Sequence, residues 1–444
     1  MAQTQQTPTN PTLARRLGLF DATMIVMGGI IGSGIFMNPS VVALQVHTSF
    51  LILGAWVLGG IVALIASFIW AELATVRPEV GGQYAYLREA FHPGVAFVYG
   101  WVLLLVIQTG GMAAVAVTFS HYFVELSGLQ LNYSIVAATI LSALTLINCL
   151  GVRAGSTVQS ILMVLKILAI LLLVGCGLFL AKSTPNTTAL LDQPPSFGLL
   201  TAFGAAMVPV LFSYGGWQTA TFVAGEIKEP AKNLPRGLIL GVGGVVFLYL
   251  AANVVYLRVL GVSALAVSKA PASEVMRLAL GDIGAVTIAA GIAISTLGFL
   301  SQSMLTAPRV YFAMAQDGIF FKRVGAINPR TKAPVVAIAL QGALAIVIAL
   351  VGRYDQILDY VVSMDFIFFG LTACCIFIFR RRHSADLSFT RIPAHPVSTI
   401  VFILVCWLVV INTIYHNPKN TLIGVAILLA GIPAYLFWAR RSSL

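Results

Sequence analysis

Charge is what this chain has least of. Only 9% of its 444 residues are Asp, Glu, Lys or Arg, against about 25% in soluble globular domains. So few charges cannot cover a soluble protein of this size. Acidic residues are the scarcer kind, 15 against 26 Lys and Arg, for a net charge of +11. Cysteine is sparse as well. Cys149, Cys176, Cys374, Cys375 and Cys406 all fall inside apolar runs. They are too scattered for a zinc motif, and none sits in an outer loop where a structural disulfide would form. They read as small buried apolar side chains. The histidines are spread over span ends and loops, and HExxH, GxSxG and GxxxxGKS are absent. That argues against a membrane protease and an ATP-driven pump. No metal or cofactor set emerges, and no secretory leader, because the first apolar span is too long and lacks a cleavage pattern.

What the chain has instead is apolar length. Hydrophobic residues make up 59% and the mean hydropathy is +0.95. Apolar blocks of roughly 20 residues or more are long enough to cross a bilayer as helices. About twelve can be drawn: Leu19–Val42, Phe50–Val76, Gly94–Glu125, Tyr133–Leu150, Ser156–Leu180, Phe197–Ala224, Arg236–Leu260, Ile283–Ala315, Pro334–Val351, Tyr354–Phe379, Val397–Tyr415 and Thr421–Trp438. The expected class is an all-α membrane protein. Eighteen of the cations sort to one side, among them Arg15, Arg16, Arg77, Arg88, Arg153, Arg330, Lys332 and Arg380 to Arg382. Only Lys182, Arg258, Lys269, Arg277, Arg353 and Lys419 fall on the other. The positive-inside rule then puts both termini in the cytoplasm. The positive charge needs no nucleic acid to explain it. Residues 1–16, polar and rich in Thr, Gln and Pro, are expected to be disordered.

Two spans are interrupted by glycine. In the first, GGIIGSGIF (Gly28 to Phe36) crowds four glycines and a serine into the middle of an apolar run. Glycine costs about 1 kcal/mol relative to alanine inside a helix. Close helix packing through a GxxxG face explains Gly28 and Gly32. It does not explain Gly32-Ser33-Gly34 followed at once by a renewed apolar run. A break there frees the amides of Ser33, Gly34 and Ile35 at the start of a second helix, where they suit a carboxylate. It also frees carbonyls around Met27 to Ile31, which suit an ammonium. The sixth span holds a second glycine pair in Phe212-Ser213-Tyr214-Gly215-Gly216-Trp217-Gln218. Interruptions five spans apart point to an inverted-repeat transporter.

Two charges lie deep in spans. Lys166 is ten residues into the fifth, where it either serves function, snorkels toward the cytoplasmic end or donates to the carbonyls of the broken first helix. Asp365 in the tenth is either a neutral or capped carboxyl or a proton-coupling group. Glu72 and Asp21, near span ends, read as capping or loop-docking residues. Arg309, in APRVYFAMAQDG, reads as an anchor for the end of the eighth span, and the loop from Glu72 to Phe91 as a structural turn and short surface helix.

These motifs together resemble the amino acid–polyamine–organocation (APC) transporters, especially the L-type amino acid transporter branch and its bacterial exchangers and permeases. The matching stretches are GGIIGSGIF, ELATVRPEVGGQYAYLREAF, FSYGGWQTATFVAGEIKEPAKNLPRG and APRVYFAMAQDG. The resemblance implies a LeuT-like fold of two inverted five-helix repeats with broken helices one and six. The transport core would be residues 17–395 and two additional helices 396–444. It implies that the substrate carboxylate meets Gly32, Ser33 and Gly34, and the ammonium Ile30 and the Phe212–Gly215 backbone, with Ser213 and Gly215 in the site. Phe212 corresponds to an aromatic gate, and Lys166 to a lysine standing where sodium sits in sodium-coupled relatives. Sodium-independent transport follows. Thr219 and Phe366 differ from common residues in relatives. The loop Glu125 to Tyr133 lacks the cysteine that links animal light chains to a glycoprotein, so no disulfide-linked heavy chain is expected.

The resulting expectation is a plasma-membrane carrier of neutral L-amino acids, not an enzyme, working by alternating access through exchange or proton coupling. Neutral substrates follow from the lack of a mid-membrane carboxylate in spans one, three, six and eight, an argument that Asp365 in span ten weakens. A cationic amino acid or polyamine carrier is the alternative within transport, and an ion channel the alternative outside it.

Overall fold

The structure is a computed structural model that describes residues 15–183, 190–191, 194, 196–351, 354–382, 391–416 and 418–442. Residues 1–14, Arg353 and His383 therefore lie outside the described residues, and with them most of the segment expected to be disordered. Apart from one isolated parallel bridge between Leu17 and Ile227, the described residues form helices and loops. Lipid offers backbone groups no partners, so apolar runs of this length close their hydrogen bonds internally as helices. Among the described residues, nine helices are long and apolar enough to cross a bilayer, or ten when one bent pair is counted as a span. The apolar helices α7 (Tyr133–Cys149) and α14 (Val335–Val351) have 17 residues each. The expected count of twelve is reached only by including these two shorter helices.

The first span is two helices, α1 (Leu19–Ile30) and α2 (Gly34–Gln45), meeting at 40°. Then come α3 (Ser49–Val76), a short surface helix α4 (Gln83–Ala90), and α5 (Pro93–Val102) with α6 (Thr109–Ser127). Between α5 and α6 the chain winds as a π-helix over Leu103–Gln108, a feature of functional sites that the apolar sequence there does not announce. Next are α8 (Val152–Phe179), α9 (Phe197–Tyr214) and the single turn α10 (Thr219–Phe222). Spans seven and eight run further than expected. In α11 (Pro230–Val267) and α12 (Pro271–Thr306) the chain turns at Gly261 and Gly281 and adds a short helical piece beyond each span. Past Thr306 the eighth span continues through Ala307, whose backbone is helical, into α13 (Pro308–Gln316), so it reaches Ala315 as expected. The last three are α15 (Tyr354–Arg382), α16 (Val397–His416) and α17 (Pro418–Ser442).

Three pairs of spans five apart pack together: α3 on α11, α6 on α12, and α7 on α14. That is the arrangement an inverted five-plus-five repeat produces, and it sets the two broken spans side by side, α2 against α9 and α1 against α10. Helices α16 and α17 add to the outside of α15.

The end of the bundle that carries the N-terminus is tied shut. The amides of Arg16 and Leu17 donate to the Glu226 carbonyl at 2.8 and 3.0 Å, and Lys228 N–H returns a bond to Leu17 O at 2.8 Å. The Glu226 carboxylate meets Arg309 at 2.6 Å, with side chains 0% and 1% exposed. So Arg309 anchors the end of the eighth span as expected, through a partner the sequence did not single out. Glu72 is also paired, with Arg380 at 2.6 Å and with the Ile392 amide at 2.8 Å, and Asp21 accepts from the Gly18 amide at 2.8 Å. On α4, Tyr84 donates to Asp317 at 2.6 Å, beside an Arg88–Asp317 ion pair. Burial, and then the Asp317 charge, push the Tyr84 phenol up, which keeps it a donor.

Removing one partner of a buried ion pair costs about 3–5 kcal/mol, because the other charge is left uncompensated. Glu226→Gln and Arg309→Met should therefore each lower the melting temperature in detergent, and the double variant should lose less than the two singles summed. Wild-type melting in both singles would contradict this reading of the pair.

Candidate functional site

The site begins with the missing helical turn in span one. Four backbone carbonyls there would be orphaned in lipid, and each has a side-chain donor instead. Lys166, wholly buried on α8, donates to Gly28 O at 3.2 Å and to Ile31 O. Tyr249 O–H reaches Ile30 O at 3.2 Å, and Ser295 O–H reaches Gly32 O at 3.1 Å. One turn earlier Gln159 donates to Met24 O at 2.9 Å. Beyond the break, Tyr256 O–H donates to Ile35 O at 3.2 Å. Tyr249 and Tyr256 are seven residues apart on α11, so a single helix face braces both halves.

The amides have no such partners. The N–H groups of Gly32, Ser33, Gly34 and Ile35 have no acceptor among the described residues, the next bond being Phe36 N–H to Ser33 O at 3.1 Å. They open α2, where the helix dipole adds partial positive charge. The break in span six has the opposite character. Helix α9 ends at Tyr214, Gly215 N–H turns back to Phe212 O at 3.1 Å, and the carbonyls of Ser213 and Tyr214 receive no donor among the described residues. A positive helix start and a negative helix end thus lie side by side.

The two breaks touch at glycines. Gly216 has φ +109°, and a Cβ there would fall 2.1 Å from Gly29 O; a Cβ on Gly29 would fall 2.5 Å from Gly216 O. Any side chain at either position separates the segments. Gly216 O also accepts from Thr219 O–H at 2.7 Å, and Gln302 N–H donates to Thr219 Oγ1 at 2.5 Å. On the other side Asn38 N–H donates to Ser213 Oγ at 2.7 Å, and Ser213 O–H to Pro209 O at 2.7 Å. Ser213's hydroxyl is thereby committed to joining α2 to α9.

Between the breaks is a cavity of about 110 Å³. Ile30, Gly32, Ser33, Gly34, Phe212, Ser213 and Gly215, singled out from sequence, all line it. Lys166 does not; it sits behind the break. The cavity wall also includes Gln108 from the π-helix, Gln302 and Ser303 from α12, and Asp365, Phe366 and Phe369 from α15. Asp365 is the one charged side chain among them and has no ion pair among the described residues. Sequence reasoning missed Gln302, Ser303 and Ser295, although polar residues repeating through an apolar span were a usable signal. Tyr249 and Asn38 had no comparable signal.

The cavity is closed on one side. Toward the tied end Trp217, 2% exposed, packs on Phe369 at 5.2 Å and on Trp70 at 6.1 Å between ring centroids. Toward the other end Phe212 is 39% exposed.

A multi-pass bundle with a largely apolar cavity, edged by a few polar groups, at the meeting point of two broken spans is a membrane carrier. Residues 17–433 match the family described as amino acid permease. The chain is 30% identical over 438 residues to the serine/threonine exchanger SteT of Bacillus subtilis (strain 168), covering 97% of this chain and 98% of that protein. It is 29% identical over 447 residues to the human large neutral amino acids transporter small subunit 2, covering 97% and 82%. It is 27% identical over 453 residues to the human b(0,+)-type amino acid transporter 1, covering 99% and 92%. The chain belongs to the amino acid permease family, within the APC transporters. Its relatives are transporters and not enzymes.

Replacing Gly216 by alanine should separate the breaks and abolish amino acid binding while the bundle still assembles. Wild-type binding by a well-expressed Gly216→Ala protein, measured by scintillation proximity, would contradict the close approach. Lys166→Met should leave two carbonyls unpaired, at about 1–3 kcal/mol each, and lower the melting temperature. A melting temperature unchanged from wild type would show that Lys166 does not hold the break.

Proposed function

We propose that the protein carries neutral L-amino acids of small or medium size across the plasma membrane by alternating access, without sodium. The observation behind this is the asymmetry of the cavity: among its lining residues, the amides of Gly32, Ser33 and Gly34 lack an acceptor on one side, and the Ser213 carbonyl lacks a donor on the other. A zwitterion satisfies both. Its carboxylate would lie on the amides of Ser33 and Gly34 at the start of α2. Its ammonium would lie on the end carbonyls of α9 near Gly215, helped by the second lone pair of Ile30 O. Phe212 would close over the bound substrate. Lys166 already donates to two carbonyls of the break, which supports a cycle that needs no metal cation there. Both termini would be cytoplasmic, with the tied end inside and the cavity open outward. Substrate-for-substrate exchange is the favoured coupling, in keeping with a relative named as a serine/threonine exchanger. No covalent heavy chain is part of this reading.

Asp365 favours a second reading, in which the side-chain end of the cavity takes a cationic substrate. Uptake of a labelled amino acid panel into proteoliposomes separates them. The expected result is saturable uptake of neutral amino acids, stimulated by internal amino acid and unchanged when choline replaces sodium. Uptake of lysine or arginine that Asp365→Asn removes would establish the second reading instead. Uptake that ignores every amino acid, or requires sodium, would overturn the proposal.

A further inference from the structure

At the tied end, four cations from three separate segments line one concave site of about 130 Å³. They are Arg16 just before α1, Arg153 in the first turn of α8, and Arg330 and Lys332 in the loop before α14. No Asp or Glu lines it, and none of the four has an ion pair among the described residues. Four other arginines at this end are paired: Arg77 with Glu89, Arg88 with Asp317, Arg309 with Glu226 and Arg380 with Glu72. Gathering four unpaired like charges is unfavourable unless an anion joins them.

The backbone is built for the same purpose. Gly151 has φ +131°, and a Cβ there would fall 2.8 Å from Thr331 O, so the loop is seated directly on the start of α8. The start of that helix adds its own partial positive charge. The Thr331 hydroxyl is buried with no partner. One wall is apolar: Leu150 lines the site and is 69% exposed, and Leu146, one turn back along α7, is 67% exposed. A polar anion site continuous with an exposed leucine track at a membrane surface suits a lipid, with phosphate on the cations and acyl chain along the helix.

We infer that this is a binding site for the phosphate headgroup of an anionic phospholipid in the leaflet at the tied end. Occupancy would join Arg16 to Arg153, Arg330 and Lys332. Arg16 is one residue from Leu17, which bridges to Ile227, and its own amide bonds to Glu226 O. Helix α8 carries Lys166. The lipid would therefore bind the N-terminal strap to the helix that holds the substrate-site break, and favour the state in which this end is closed.

Native mass spectrometry of the purified full-length protein tests this without relying on the transported substrate. The protein would be titrated with phosphatidylglycerol, with phosphatidylcholine of the same chains, and with inorganic phosphate. We expect selective retention of phosphatidylglycerol. In Arg153→Gln/Arg330→Gln/Lys332→Gln that retention should fall by about fivefold per cation removed, with phosphatidylcholine unchanged. Because the three side chains are exposed, the variant should fold, and Arg153→Lys/Arg330→Lys should keep the preference. Equal retention of both lipids by the wild type would overturn the inference, as would an unchanged preference in the triple variant. Occupancy by inorganic phosphate with no phosphatidylglycerol preference would assign the site to a soluble anion and overturn it too.

Discussion

A helix broken inside an apolar bundle leaves backbone polar groups that lipid cannot pair. Here the bonds from Lys166 to Gly28 O and Ile31 O meet that constraint, and the rest of the site depends on them. The lysine is wholly buried and would be costly alone; against two carbonyls at a helix end it is compensated. Tyr249 and Ser295 complete the same task for Ile30 and Gly32. With these four carbonyls occupied, the amides of Gly32 to Ile35 are the donors left free at this break among the described residues. The unevenness between satisfied acceptors and unsatisfied donors is what turns a structural fault into an anion-binding wall.

The second break supplies the opposite pole because the chain crosses it in the opposite sense. Helix α9 ends where α2 begins, and the contact of Gly29 with Gly216 brings the two within reach of one small molecule. The same packing separates the ends of the bundle. Toward the N-terminus, Glu226, Arg309 and Leu17 tie the chain beneath α10. Toward the other end, Phe212 is half-exposed. A two-state carrier needs one end held by bonds that can be exchanged, and at the tied end a few discrete polar contacts add to the apolar packing of Leu17, Trp217 and Phe369.

Much of this was legible in the sequence where composition is locally anomalous. Glycine pairs inside apolar runs marked both breaks, and a lone lysine in the fifth span marked Lys166. The seven residues named for the cavity all line it. What stayed hidden were partners far apart in the chain. Tyr249 and Ser295 are ordinary residues in long apolar spans until folding brings them to carbonyls more than 200 positions away. Glu226 sat inside a recognised stretch, yet its pairing with Arg309 depends on packing. The π-helix at Leu103–Gln108 has no glycine or proline to signal it, and the turns at Gly261 and Gly281 were hidden because each glycine lies in a stretch that reads as loop. Span lengths were legible only roughly, which is why α7 and α14 came out shorter than the runs that announced them.

The central claim is that the paired breaks read the two charged poles of an amino acid. It is tested most directly by calorimetric binding of an L-amino acid substrate to the purified protein, beside its carboxamide and its deaminated analogue. Charge-assisted hydrogen bonds contribute about 1.5–3 kcal/mol each, so each analogue should bind at least about tenfold more weakly than the parent. An analogue lacking either pole that bound as tightly as the parent would contradict the account.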